Sequence, residues 1–382
     1  MNRITALLAA TMLAGAGAMA TAAAAATTTA TATGSYTMAD FYKVPKIDAH
    51  LHLHSTSDVF IRQARKDRFK ALAINVDYAD FPPVAEQLRV AKALRRAHPR
   101  EVAFVTTFST EGFGQPGWGD AVTGDLDQAF ADGAVGVKVW KNIGMSLKGP
   151  DGKLVMVDDA RFDGVFRHIA QRGMTVLGHQ GEPKNCWLPL EQMTVNSDRE
   201  YFKNHPHYHM YLQPAMPSYE QQMAARDALL ARHPRLRFVG VHMASLEWSV
   251  DELARFLDSH PGANVDIAAR IGQVQYQSGL DRDEVRRFFI QYQDRLMYGT
   301  DLAQSGAQSA GAFADEIHRV WLAHWRYFNT TQSQKVPELD APVKGLALPR
   351  QVVDKLFRLN AERQYPQGWR APAARAAVGR GN

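Results

Sequence analysis

Eight short apolar runs of strand length, separated by stretches with helical spacing, dominate this chain and limit what it can fold into. The runs are Lys46 to His52, Lys70 to Val76, Val102 to Phe108, Val135 to Trp140, Thr175 to His179, Arg237 to His242, Ala263 to Ile267 and Leu296 to Gly299. Between them, Pro83 to Ala97 sets Val84, Leu88, Ala91 and Leu94 on one helical face, and Val250 to Leu257 does the same with Leu253, Phe256 and Leu257. Such alternation implies parallel strands joined by right-handed crossovers. Eight units over about 255 residues have the size of an α/β fold of the (β/α)8 TIM-barrel type. An open doubly wound sheet is the alternative, but no Gly-x-Gly-x-x-Gly loop follows the first run. A single barrel domain is therefore expected over 46–366, with no internal repeat.

The ends of the chain read differently. Arg3 precedes an apolar run of small residues, Ile4 to Ala20, rich in Ala and Gly rather than Leu and Ile. That pattern fits a cleaved signal peptide over 1–26 better than a membrane anchor, and it implies a periplasmic or secreted protein. Residues 27–45 read as a linker, Ala- and Thr-rich as far as Thr37, and 367–382 as a disordered tail.

With a single cysteine, Cys186, neither a disulfide framework nor a Cys-based zinc cluster is available, so any bound metal must be held by His and carboxylates. The net charge of +5 comes from Lys and Arg interspersed with Asp and Glu, which reads as a solvated surface and not a nucleic-acid footprint.

In a barrel the chemistry collects at the C-terminal ends of the strands, and the chemically capable residues of this chain fall there. His50 and His52 share one face of the first run by the two-residue period of a strand, so the pair can hold one metal ion. His179 ends the fifth run, His242 the sixth, and Asp301 follows the eighth in Gly299-Thr300-Asp301. A single histidine at a strand end is commonly a hydrogen-bonded loop residue. Four imidazoles and a carboxylate at one mouth are instead the nitrogen and oxygen donors that zinc or a similar divalent ion prefers.

These residues carry a resemblance. Ile47-Asp48-Ala49-His50-Leu51-His52, His179, His242, Gly299-Thr300-Asp301 and the closing Leu359-Asn360-Ala361-Glu362-Arg363 make the chain similar to the amidohydrolase superfamily of metal-dependent hydrolases, in particular its amidohydrolase-2 branch, over Lys46 to Gln364. The resemblance implies that His50, His52, His179 and Asp301 are metal ligands, that His242 is a second-metal ligand or a catalytic electrophile, and that Asp301 takes a proton from metal-activated water. It also puts Lys138, in Gly136-Val137-Lys138, at the position where a carboxylated lysine bridges two ions in some members, and where in others a lysine only pairs with an acid. One ion or two is thus left open, with zinc the expected metal.

Arg270, Gln180, Glu182 and Glu247 lie near the same mouth and are expected to contact substrate. A guanidinium at Arg270 would clamp a carboxylate, or else pair with Asp266. Lys141 is expected to point away from the mouth unless its strand has ended, and Asp48 or backbone carbonyls are expected to take the second N–H of the ligating rings. His54 and the insert His205-Pro206-His207-Tyr208-His209 read as loop, lid or subunit contact, a homo-oligomer being compatible with the last. Trp321, Trp325, Tyr327 and Phe328 read as packing.

The function these features imply is hydrolysis of an amide, lactone or ester-like bond in a small organic molecule. A decarboxylase of an aromatic or enoic acid on the same scaffold is the alternative, and a ligand-binding barrel without catalysis the third reading. Amino-terminal analysis of the exported protein should find a mature chain beginning between Thr21 and Thr27; an intact Met1 on cytoplasmic protein would rule the signal peptide out.

Overall fold

The computed structural model describes residues 34–78, 80–304 and 308–370; the expected signal peptide, residues 27–33 and residues 371–382 lie outside them. All eight apolar runs become strands: β1 (Lys46–His52), β2 (Phe69–Ile74), β3 (Val102–Thr107), β4 (Ala134–Val139), β5 (Thr175–Gly178), β6 (Arg237–Gly240), β7 (Ala263–Asp266) and β8 (Leu296–Met297). They pair in parallel in sequence order, and a short ninth strand, β9 (Leu302–Ala303), pairs in parallel with β1. Only Tyr298 to Asp301 separates β8 from β9, so one segment touches both edges of the sheet. The Ala49 N–H donates to the Tyr298 carbonyl at 2.9 Å, the Asp301 N–H to His50 at 2.8 Å and the Gln304 N–H to His52 at 3.0 Å. The sheet therefore curls back on itself, as a (β/α)8 barrel requires.

Two layers of apolar packing follow from the alternation of side chains along the strands. Ile47, Ala49, Leu72, Ile74, Ala103, Val105, Leu177, Val239 and Met297 fill the interior together with Tyr365 and Trp369, while a larger cluster lies between the strands and the helices. Trp369 donates its indole N–H to the Ala71 carbonyl at 3.1 Å, so residues 367–370, assigned from sequence to the tail, pack against the barrel.

Strict alternation breaks at two places, and both matter for the site. Asp48 pairs with Ala71 but Leu51 with Ala73, and Phe104 pairs with Ala134 but Thr106 with Val137, so β1 and β4 each carry one extra residue. An extra residue inverts the facing of everything after it. Ile47 and Ala49 face the interior while Leu51 and Leu53 join the outer layer, which turns His50 and His52 inward; likewise Val135 is interior, Val137 and Val139 are outer, and Lys138 turns inward. Gly136 sits in the second irregularity, where a Cβ would meet the Thr175 carbonyl oxygen at 2.7 Å.

The strand-to-helix packing is anchored by the helix Ala310–Asn329. Its Trp321 is fully buried, stacks on Phe69 at 4.0 Å and donates its indole N–H to Asp48 at 2.8 Å. Trp325, Tyr327 and Phe328 are buried as well, as packing residues should be. At the opposite end from the mouth, the assigned linker is structured close to the barrel: Met38–Asp40 forms a 3-10 turn and Phe41 is buried. The Lys46 ammonium holds it, donating to the carbonyls of Phe41 and Val44 and lying over the rings of Phe41, Phe69 and Trp325. Burial draws that lysine down to about 7. No described helix is long and apolar enough to cross a membrane.

Gly299 lies where the closing segment passes β1 most tightly, since a Cβ there would stand 2.8 Å from the His50 Cβ and 3.1 Å from the Ala268 Cβ. Gly299→Ala is expected to cost about 1–3 kcal/mol, the usual penalty for overpacking, measured as a drop in the urea midpoint at constant slope.

Candidate metal centre

The strands deliver their ring nitrogens and carboxylates to one place. His50 and His52 come from β1, Lys138 from β4, His179 follows β5, His242 follows β6, and Asp301 lies between β8 and β9. All are buried except Asp301, whose side chain is 29% exposed. Asp301 Oδ1 lies 3.1 Å from both His50 Nε2 and His52 Nε2, and Oδ2 lies 4.0 Å from His242 Nε2. The His179 and His242 rings are 4.3 Å apart between centroids, and the His50 and His242 rings 4.8 Å.

The backs of the rings decide what their fronts can do. His52 Nδ1 is 2.8 Å from the Ile74 carbonyl and His242 Nδ1 is 2.9 Å from the Ala268 carbonyl. A carbonyl can only accept, so both Nδ1 atoms carry the proton and both Nε2 atoms present lone pairs. His50 Nδ1 is held in the same way by Asp266 Oδ2 at 2.8 Å. The expected back-side acceptor Asp48 has another role: it accepts from the Thr300 N–H and hydroxyl and from Trp321, and so joins the closing segment to β1 from outside. Burial pushes the Asp48 carboxyl up to about 6.

Three lone pairs thus converge on a carboxylate, with His179 Nε2 beside them buried and without a hydrogen-bond partner. Acceptors at 3.1 Å from one another repel unless positive charge lies between them. Part of that charge is the Lys138 ammonium, 3.3 Å from His50 Nε2, although burial draws it down to about 8. Burial also drives His179 and His242 well below the ordinary histidine value, which keeps both rings neutral. For His50, burial and Lys138 work against a positive charge but Asp266 and Asp301 outweigh them and raise it. His50, His52 and Asp301 each bring one ligand atom to within 4.8 Å of the others, a spacing that a single ion can span. The donor set fits a divalent ion of the zinc type: imidazole nitrogens with fixed tautomers and an ionised carboxylate.

The backbone around these ligands is strained. His242, Met243, Ala244 and Ser245 have φ of 57°, 58°, 56° and 58°, a full turn of left-handed helix, and Ala269 and Asp301 are left-handed too, at 56° and 66°. Such conformations cost roughly 1–2 kcal/mol per residue and cluster at functional sites. The turn is held by its surroundings: Tyr219 donates its hydroxyl to the Ser245 carbonyl at 2.6 Å, Ser245 donates to the Gln180 carbonyl at 2.9 Å, and Arg226 donates to the Ala244 carbonyl.

A cavity of about 490 Å³ opens in front of the centre. Arg270 and Glu182 line it, whereas Gln180 and Glu247 do not. Gln180 is buried behind the wall beside Ser245, and Glu247 is buried where its carboxylate accepts the Lys184 N–H at 2.8 Å. Lys141 does line the cavity, because β4 ends at Val139, and it is paired with Glu182. Arg270 makes no pair with Asp266, whose oxygens are taken by His50 and by backbone N–H groups; its guanidinium donates to the Ala269 carbonyl at 3.3 Å and leaves Nε unpartnered. His54 bonds to the Gln304 carbonyl and His209 to the Leu188 carbonyl, so neither joins the centre. Tyr78, Phe81 and Trp140 form an aromatic wall beside His52, with centroids 5.1 Å and 4.7 Å apart. None of these aromatics, nor Asp266 as a partner of the ligands, was singled out from the sequence, although Trp140 and Asp266 stand at strand ends and carried that signal.

The Amidohydrolase family model matches residues 47–367. No curated protein is similar enough in sequence to match. Among solved structures, the 2,6-dihydroxybenzoate decarboxylase from Rhizobium is similar with a TM-score of 0.50 at 13% identity, over 84% of this chain and 98% of that one. A 4-oxalomesaconate hydratase from Rhodopseudomonas palustris is 12% identical with a TM-score of 0.45, over 84% of this chain and 96% of that one. At 13% identity the likeness to the decarboxylase is one of fold.

Elemental analysis of the purified protein should find at least one equivalent of a divalent ion. His50→Ala combined with His52→Ala should remove it while the circular dichroism spectrum stays that of a folded barrel. Wild-type activity that survives complete chelation would contradict the site.

Proposed function

Because the chain belongs to the amidohydrolase family, we propose that it is a metal-dependent hydrolase acting on an amide, lactone or ester-like bond of a small organic molecule. The observation that carries this reading is the convergence of fixed Nε2 lone pairs on Asp301, whose Oδ2 is left free of His50 and His52. Zinc is the ion proposed, held by His50, His52, His179 and Asp301, with His242 beside them as a further ligand or as an electrophile toward the substrate carbonyl. When bound, such an ion lowers the pKa of a coordinated water toward about 7 and polarises the scissile carbonyl.

The protein groups supply the rest. Asp301 Oδ2 takes the proton that the attacking water must lose and returns it to the leaving group. Despite its burial the carboxyl is held well below the usual range, so it stands ionised at neutral pH. The aromatic wall of Tyr78, Phe81 and Trp140 excludes water from one side and offers a planar surface, and Arg270, which lines the same cavity, supplies a guanidinium for an anionic group of the substrate. The Lys141–Glu182 pair contributes a neutralised polar edge.

Arg270 also favours the second reading, decarboxylation, in which the clamped carboxylate is the group that leaves. Export to the periplasm or beyond, proposed from residues 1–26, agrees better with a scavenging hydrolase. Screening lactones, amides and aromatic acids separates the two readings: release of an alcohol, amine or ring-opened acid supports hydrolysis, and carbon dioxide as the product overturns it.

Asp301→Asn keeps an oxygen donor but loses the proton acceptor. Turnover should fall by about 10²- to 10⁴-fold with metal content retained, the range typical of general acid–base groups. Recovery to near the wild-type rate with excess zinc would show that Asp301 is a ligand only.

A further inference from the structure

Asp266, the last residue of β7, is 1% exposed and does not line the cavity. Its carboxylate nonetheless touches two of the groups that do the chemistry, both from behind. Oδ2 accepts the His50 Nδ1–H at 2.8 Å, while Oδ1 accepts the His242 backbone N–H at 2.8 Å and the Ala268 N–H at 3.2 Å. Ala268 in turn accepts the His242 Nδ1–H through its carbonyl, at 2.9 Å. One buried side chain therefore fixes the tautomer of His50, caps the entry to the left-handed turn that carries His242, and holds the residue that fixes the tautomer of His242.

We infer that Asp266 is the positioning residue of the metal centre, coupling the ligand His50 on β1 to His242 after β6 without touching ion or substrate. The inference rests on the metal reading proposed above. His50, His242 and Asp266 each bring a ligand atom to within 4.8 Å of the others, a spacing that would also suit an ion. The hydrogen bonds give that cluster its other meaning: both Asp266 oxygens are already engaged by N–H donors, so of the three residues only the two histidines, through Nε2, are left to coordinate. A left-handed turn of four residues other than glycine needs such support, because each residue is disfavoured by the contact of its Cβ with its own backbone.

Only a carboxylate fills this place. Both Asp266 oxygens accept, so an asparagine must turn its amide N–H2 either toward His50 Nδ1 or toward the N–H groups of His242 and Ala268. In the first case His50 is pressed to move its proton to Nε2, where it blocks the ligand atom; in the second the left-handed turn loses its cap. Either way one substitution disturbs two positions of the centre.

The test compares zinc affinity of the wild type and Asp266→Asn by competition with a chromophoric chelator, alongside thermal melts. Loss of a partner behind a ligating histidine typically weakens metal binding 10–100-fold, and that loss is expected in a variant that still melts cooperatively. Unchanged affinity in folded Asp266→Asn overturns the inference. Should the variant not fold, histidine-selective ¹⁵N NMR of the zinc-loaded wild type decides, with the His50 resonance assigned by its absence from His50→Ala. A His50 proton on Nδ1 with zinc on Nε2 supports the inference, and zinc on Nδ1 overturns it. Wild-type protein that takes up no divalent ion overturns the metal reading itself, whatever Asp266→Asn does.

Discussion

Asp301 donates its backbone N–H to His50 and Gln304 donates to His52, and these two bonds close the sheet at the same residues that carry the candidate ligands. The closure is tight enough that Gly299 has no room for a side chain, and it is held from outside by Asp48, which receives Thr300 and Trp321 together. Barrel closure and site assembly are therefore one event. Whatever loosens the contact between the last strand and the first also parts Asp301 from the β1 histidines.

Around that seam the structure gathers groups that would repel one another in isolation. Lone pairs on His50, His52 and His242 face a carboxylate, and His179 adds an unpartnered nitrogen. The arrangement persists because the rings of His50, His52 and His242 are each held from behind by an acceptor belonging to the scaffold: Asp266, the Ile74 carbonyl and the Ala268 carbonyl. Left-handed backbone at His242–Ser245, Ala269 and Asp301 accumulates on the same side of the barrel, between strands that are otherwise regular. Fold stability, supplied by two apolar layers, maintains an electrostatically and conformationally costly mouth, the usual relation between scaffold and active site.

Much of this was legible in the chain. Eight apolar runs foretold eight strands, each placed to within about two residues, since a buried parallel strand leaves little but an apolar run in sequence. The histidines and the aspartate were legible because strand ends in a barrel share one mouth, so position along the chain translates into position in space. Gln180 and Glu247 were misplaced for the converse reason: beyond a strand end the loop turns, here through left-handed residues, and proximity in sequence to a ligand no longer gives a direction. Lys141 falls under the exception that the facing rule carries, since the rule applies only inside a strand and β4 has already ended at Val139.

The division has a physical cause. Periodicity and residue type are local, and they determined the α/β architecture, the strand order and the kinds of donor that a metal would find. Facing and hydrogen-bond partnership depend on neighbours distant in the chain, so only the tertiary structure decided them. The extra residues in β1 and β4 that turn His50, His52 and Lys138 inward exist only against the register of β2 and β3. The bond from His50 to Asp266, 216 residues away, exists only because closure of the sheet leaves β7 separated from β1 by β8 alone. A sequence lists the ligands; which nitrogen of each ring they offer is set by whatever the fold places behind them.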